Sequence, residues 1–169
     1  MVFKRGFTLI ELMMIIAIAA VLLSIAVPSF RNMIERNQVT VAANTLLASI
    51  HAARTGAINQ SANVLLDDGA DGDWSTGWRV CIDSDPASNC TAASATIINE
   101  FRTDHDDLNI VANGGNLLQG IIYTPNGRAS SSLDGDFYHL SMGEQNACIL
   151  FSATGRPVVT IPDRGADCP

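Results

Sequence analysis

The strongest constraint on this chain is an apolar run from Phe7 to Val27, placed behind a short basic leader, Met1 to Gly6, that holds Lys4 and Arg5. As a helix its 21 residues span roughly 31 Å, about the hydrocarbon thickness of a bilayer. One residue breaks the run. Glu11 is a carboxylate among apolar neighbours, and such a group costs about 2.5–3.5 kcal/mol near the bilayer centre, less near a helix start. Three readings fit the stretch: a removable secretory signal, an ordinary transmembrane anchor, and a helix whose buried carboxylate awaits a partner. The signal reading accommodates the leader and the small residues Ser24 and Ala26, spaced like a signal-peptidase cut. It gives Glu11 no purpose, and the run is long for a signal core. The physics of the stretch alone leaves all three open.

The local order of residues adds a resemblance. Gly6-Phe7-Thr8-Leu9-Ile10-Glu11-Leu12 resembles the cleavage and methylation signature of type IV prepilins and type II secretion pseudopilins. The resemblance implies that a prepilin peptidase cuts after Gly6 and methylates the new amino terminus at Phe7. It also implies that Glu11 pairs with the positive terminus of a neighbouring subunit, which makes a buried carboxylate tolerable. The leader stays on the cytoplasmic side, as its positive charges require.

Without leader and membrane helix roughly 140 of the 169 residues remain, enough for one compact domain with its own core. Net charge is −7, and loss of Lys4 and Arg5 makes it −9 by the same count. No internal repeat or extended low-complexity tract interrupts the chain.

Pro28 lacks an amide proton and crowds the preceding turn, so a bend is expected between the membrane helix, 7–27, and a second, amphipathic helix, 28–60. Val39, Ala43, Leu46, Ile50, Ala53 and Ala57 step by four and three along one face, the spacing of a core stripe. Arg31 and Glu35 stand one turn apart as a possible ion pair. From 61 to 169 short apolar runs alternate with Gly, Asn, Asp and Ser clusters. Strands are predicted at Asn63–Leu66, Gly77–Ile82, Ala95–Phe101, Leu108–Ala112, Gly120–Thr124, Phe137–Ser141, Ala147–Ser152 and Arg156–Ile161. A long helix followed by closely connected strands predicts an α+β fold with antiparallel pairing.

Several segments in order along this region resemble the GspH/FimT group. They are Leu47-Ala48 through Ala53-Arg54 and Ala57-Ile58, then Val64; Trp74 with Gly77-Trp78-Arg79-Val80 and Asp83; Tyr123-Thr124-Pro125-Asn126-Gly127; and Cys148-Ile149-Leu150-Phe151-Ser152 with Thr154-Gly155-Arg156. Within that group the likeness is to FimU-type minor pilins; nothing transfers to the loops Asp83–Ser94 and Thr103–Asn116. The implied fold is type IV pilin-like, a long helix on antiparallel sheet stapled by disulfides. The implied function is a minor pilin that helps initiate pilus assembly at or near the tip. The implied partners are other minor pilins, the major pilin, a tip adhesin-like protein, prepilin peptidase and the inner-membrane assembly platform. Before assembly the chain would cross the inner membrane once, with its head in the periplasm. The tip-proximal GspH-like pseudopilin of a type II secretion system is the alternative.

All four cysteines follow residue 80, in a part that this topology places outside the cytoplasm, where disulfides persist. Of three possible pairings, the expected one joins Cys81 to Cys90 and Cys148 to Cys168. The first would close the Asp83-Ser84-Asp85-Pro86 loop, and the second would tie down a tail with little apolar surface to bury. No tight cysteine spacing or histidine cluster suggests zinc. Asp67, Asp68, Asp71 and Asp73 suggest calcium only weakly. In a calcium loop beginning at Asp67, Gly69 and Trp78 would stand where ligands belong, so a solvated acidic turn is expected. His51, on the spine, is expected to pack; His105 and His139 are scattered. Asp104, Asp106 and Asp107 read as a solvated face. Nothing sets Ser, His and Asp in a nucleophile arrangement, so no enzyme and no cofactor is expected. DNA capture, associated with FimT-like relatives, needs clustered cations. From Pro28 onward eight arginines and no lysine face sixteen acidic residues, which disfavours it.

Overall fold

A computed structural model of the chain describes residues 7–69, 72–82, 89–91, 95–103, 107–115, 117–118, 120–163, 165–166 and 168. Gly6, Lys4 and Arg5 lie outside them, as do Asp71, His105, Asp104, Asp106 and the Asp83–Pro86 loop.

One helix, α1, runs from Leu9 to Gln60 and passes through Pro28 without interruption. Proline offers no amide to the carbonyl of Ser24 one turn earlier; the Ser24 hydroxyl itself donates to the carbonyl of Val21 at 2.7 Å. The helix changes environment along its length. Its apolar surface from Phe7 to Ile34 is exposed, whereas Val39, Ala42, Ala43, Leu46, Ser49, Ile50, Ala53 and Ala57 are buried. Every residue of the predicted stripe is therefore core, joined by Ala42 and Ser49. Burial of Ser49 is tolerable because its hydroxyl donates to the Thr45 carbonyl (3.0 Å) and accepts from the Trp78 indole (2.8 Å). The helix stops where Ser61 takes a left-handed conformation, φ 51°.

Among the described residues eight strands follow: β1 Val64–Asp67, β2 Gly77–Ile82, β3 Thr96–Arg102, β4 Asn109–Asn113, β5 Ile121–Tyr123, β6 Phe137–Met142, β7 Gln145–Phe151 and β8 Pro157–Thr160. Each lies within two residues of its predicted place. They form two four-stranded antiparallel sheets, ordered β3-β2-β1-β5 and β4-β6-β7-β8. The chain leaves the first sheet for β4, returns for β5, and finishes in the second sheet.

The two sheets occupy different lengths of α1. β1 meets the far end of the helix, where Val64 lies 3.7 Å from the site of a Cβ on Gly56. The turn between β6 and β7 meets its near end: a Cβ on Gly143 would stand 2.6 Å from the Glu35 carboxylate. Gly143 has φ +59°, so glycine there serves both turn geometry and close approach. One core spans both sheets. Trp74 packs against Tyr138 at 4.7 Å between ring centroids, and Trp78 stacks on Phe101 at 4.5 Å. Tyr123 of β5 donates its hydroxyl to the Gly155 carbonyl beside β8 at 2.5 Å, linking the sheets. Burial pushes that hydroxyl's pKa up to about 12, partly offset by the charge of Arg54.

Candidate assembly site

The start of α1 carries the unusual chemistry. Thr8 is the N-cap, in extended conformation, and its hydroxyl accepts from the Glu11 amide at 3.3 Å. The Glu11 carboxylate accepts from the Thr8 amide at 3.5 Å, closing a capping box. Two helix-start amides thus find side-chain acceptors, and a negative group sits at the positive end of the helix dipole. Phe7 precedes the cap and is 76% exposed. The carboxylate is held one turn from the position of residue 7, on a helix start that none of the described residues covers.

That lack of cover extends far beyond the box. The most apolar window of α1 has mean hydropathy 2.7, and none of it is buried. The helix is long and apolar enough to cross a membrane. Beyond Pro28 the surface turns mixed. Phe30, Met33 and Ile34 stay exposed, while Arg31 and Glu35 form an ion pair at 3.0 Å. A groove opens beside this neck, lined by Met33, Arg36, Gln145, Ile161 and Pro162.

The cysteines are joined Cys81 to Cys90 and Cys148 to Cys168, with Cα separations of 5.6 and 5.8 Å. The second bond fixes the tail beside the β6–β7 hairpin. There the Gly165 amide donates to the Glu144 carbonyl at 3.1 Å and the Asn146 side chain donates to the Ala166 carbonyl at 2.9 Å.

Two expectations need correction. Asp67 is not part of a solvated turn but is 2% exposed. Its carboxylate accepts from the amides of Cys90 (2.6 Å) and Gly69 (3.0 Å), so it ties the Cys90 end of the first disulfide to β1. Desolvation raises its pKa, opposed by those two amides and by the charge of Arg79. Local sequence gave little sign of this, because the Cys90 amide arrives from a distant segment. Asp73 behaves as a turn residue and accepts from the Ser75 amide at 2.8 Å. Among the described residues no cluster of His, Cys, Asp or Glu is arranged to hold a metal. His51 is exposed rather than packed; it follows Ile50 around the helix, off the buried stripe. His139 is half-buried, 3.3 Å from the Asn146 side-chain oxygen.

Comparison with known proteins agrees with this geometry. The family model described as Type II transport protein GspH matches residues 42–155, and that of the prokaryotic N-terminal methylation motif matches residues 1–27. In sequence the chain is 38% identical over 76 residues to the type IV major fimbrial protein FimA of Dichelobacter nodosus, covering 44% of this chain and 43% of FimA. It is 42% identical over 52 residues to a fimbrial protein of Pseudomonas aeruginosa, covering 31% of this chain and 34% of that one. The chain thus spans less than half the length of the curated relatives it matches. In fold it is similar to two crystal structures of the Pseudomonas aeruginosa type IV minor pilin FimU. One superposes with TM-score 0.59 at 17% identity, covering 78% of this chain and 98% of that chain; the other gives 0.51 at 18%, covering 75% and 99%. With a methylation motif at its start, a pilin fold throughout and the GspH model over its head, the chain belongs to the GspH family of pilin-like proteins.

Proposed function

We propose that this protein is a minor pilin, cut after Gly6, methylated at Phe7 and built into a type IV pilus at or near the tip. There it helps initiate assembly and links tip components to the major pilin. The observation that carries the reading is the uncovered helix from Phe7 to Ile34, headed by the Thr8–Glu11 capping box. So much apolar surface needs a bilayer first and the helices of other subunits afterwards. In the bilayer Glu11 has only its own helix start for support. Inside a filament, the amine of an adjoining Phe7 would give it a full opposite charge in a low-dielectric setting. A bend at Pro28 would let the membrane half follow the filament core while the head stays outside. The head would face the periplasm before assembly, and the partners would be other minor pilins, the major pilin, a tip adhesin-like protein and the assembly platform.

The match to the GspH model favours a second reading, a tip-proximal pseudopilin of a type II secretion system. Glu11→Ala separates insertion from assembly. The variant is expected to enter the membrane and lose its leader normally, yet to fall roughly tenfold or more in sheared filaments, the scale set by loss of a buried charge pair. Wild-type incorporation would show the pair to be unnecessary. Recovery of the native chain with sheared pili, rather than with a secretion complex, distinguishes the two settings.

A further inference from the structure

The two sheets present four edge strands, β3 and β5 on one and β4 and β8 on the other. Exposed edges invite pairing with other chains, so folded proteins usually shorten, cover or interrupt them. β5 is three residues long, and Tyr123 is already bridged to Ala129. β8 has four residues and begins with a proline. β4 has five, of which Ile110 is buried. β3 differs. It runs seven residues, Thr96 to Arg102, with neither proline nor lysine, and all its side chains except Phe101 are exposed. Its one irregularity is a register shift opposite Val80 and Cys81 that skips Ile98.

The ladder shows which backbone groups are unclaimed among the described residues. Phe101 stands opposite Trp78, and the Thr103 amide donates to the Thr76 carbonyl at 3.1 Å. Antiparallel pairing alternates, so the amides and carbonyls of Glu100 and Arg102 point away from β2. The side chains at this end add charge. One oxygen of Glu100 is shared by Arg79 (3.2 Å) and Arg102 (3.1 Å), and Arg102 is 75% exposed. Two guanidiniums on one carboxylate oxygen leave Arg102 with donors to spare. Ile98 reaches within 3.5 Å of the Cβ site on Gly56, twenty-one residues beyond Glu35. At the helical rise that is about 32 Å along α1, so β3 lies at the end of the head remote from the membrane segment.

We propose that the outer edge of β3 takes an extended, acid-bearing segment of a different protein as a fifth strand. Backbone bonds to Glu100 and Arg102 hold the segment, and an acidic side chain lies beside Arg102. The exposed Ile97 supplies an apolar contact on the same edge. A second copy fits less well, because each chain cut after Gly6 carries a net charge of −9 by the count above and would approach a like-charged head. The inference rests on the proposed place of the chain in a filament, with its far end toward the next subunit out.

The test compares hydrogen exchange across residues 96–103 in the full-length tagged chain, first alone in detergent, then in filaments recovered by shearing. The Glu100 and Arg102 amides should exchange at least roughly tenfold more slowly in filaments. Arg102→Pro removes an outward amide and a cation but no bond to β2. It should abolish the filament-specific protection at Glu100 while the disulfides and head unfolding stay unchanged. If Arg102→Pro disturbs folding, Ile97→Asp, which removes the exposed apolar contact and sets a like charge beside the acidic segment, should weaken the protection instead. Equal exchange in both preparations, or protection that survives a folded Arg102→Pro or Ile97→Asp, overturns the proposal. Protection that arises in the purified chain alone at high concentration also overturns it, since the occupant would then be a second copy. Whether the chain comes with pili or with a secretion complex is read from the sheared fraction and does not depend on β3.

Discussion

The two halves of α1 form one unbroken helix, yet they solve opposite problems. Val39 to Ala57 places mostly small residues along a single stripe, so two sheets can lie close to the helix backbone. Phe7 to Ile34 is apolar over most of its circumference and touches none of the head's core. A stripe with polar flanks finds its cover within one chain, whereas apolar surface all round needs another phase or other helices. The same backbone therefore serves as the core of a folded head and as one component of an assembly.

Truncating the buried half should have the largest effect on the head. Leu46→Ala removes a fully buried side chain from the core and is expected to cost about 2–5 kcal/mol, by transfer energy plus the cavity left behind. Leu22→Ala, on the exposed half, should leave chemical unfolding of the detergent-solubilised chain unchanged. If both variants shift the midpoint alike, the two halves are not energetically separate.

The tail provides a second contrast. Replacing both Cys148 and Cys168 by serine opens a loop of sequence separation 20, worth about 3 kcal/mol in the chain-entropy model. Denaturant titration should show that loss, and proteolysis should begin in the tail beside the neck groove while the membrane half inserts as before. Tail cleavage no faster than in the native protein would mean that the Gly165 and Asn146 hydrogen bonds suffice.

The smallest effect concerns pH. The pKa of Asp67 is raised by burial above the ordinary 3.8, so the folded state binds its proton more tightly than the unfolded state does. Its contribution to stability is fully present below the ordinary value and is lost as pH rises through the raised one. Asp67→Asn should flatten the stability profile across that acidic window. It should also loosen the hold on Cys90, visible as faster exchange of that amide. An unchanged slope would mean that the amide bonds and the Arg79 charge cancel desolvation.

The legible parts of this structure were those set by short-range pattern. The apolar run, the stripe from Val39 to Ala57 and the eight strands all show a period of residues adjacent along the chain. The misread residues were those whose surroundings come from elsewhere. Asp67 sits among other aspartates and reads as a solvated loop until the Cys90 amide closes over it. His51 follows a buried isoleucine and reads as packed, but it projects off the stripe. Ser49 was not among the predicted stripe residues, and the Trp78 indole, 29 positions away, joins it to the core.

By itself the sequence determined a membrane-length helix with one acid near its start, an amphipathic continuation, and a strand-rich head after it. Hydropathy and periodicity are local properties, and each residue carries its share wherever the chain goes. Only the tertiary structure decided how the strands divide into two sheets and which cysteines come within bonding distance. It also decided which carboxylate is buried and which edge strand is left open. Those outcomes depend on pairs of residues far apart in sequence, whose meeting follows from closing one core around the far half of α1.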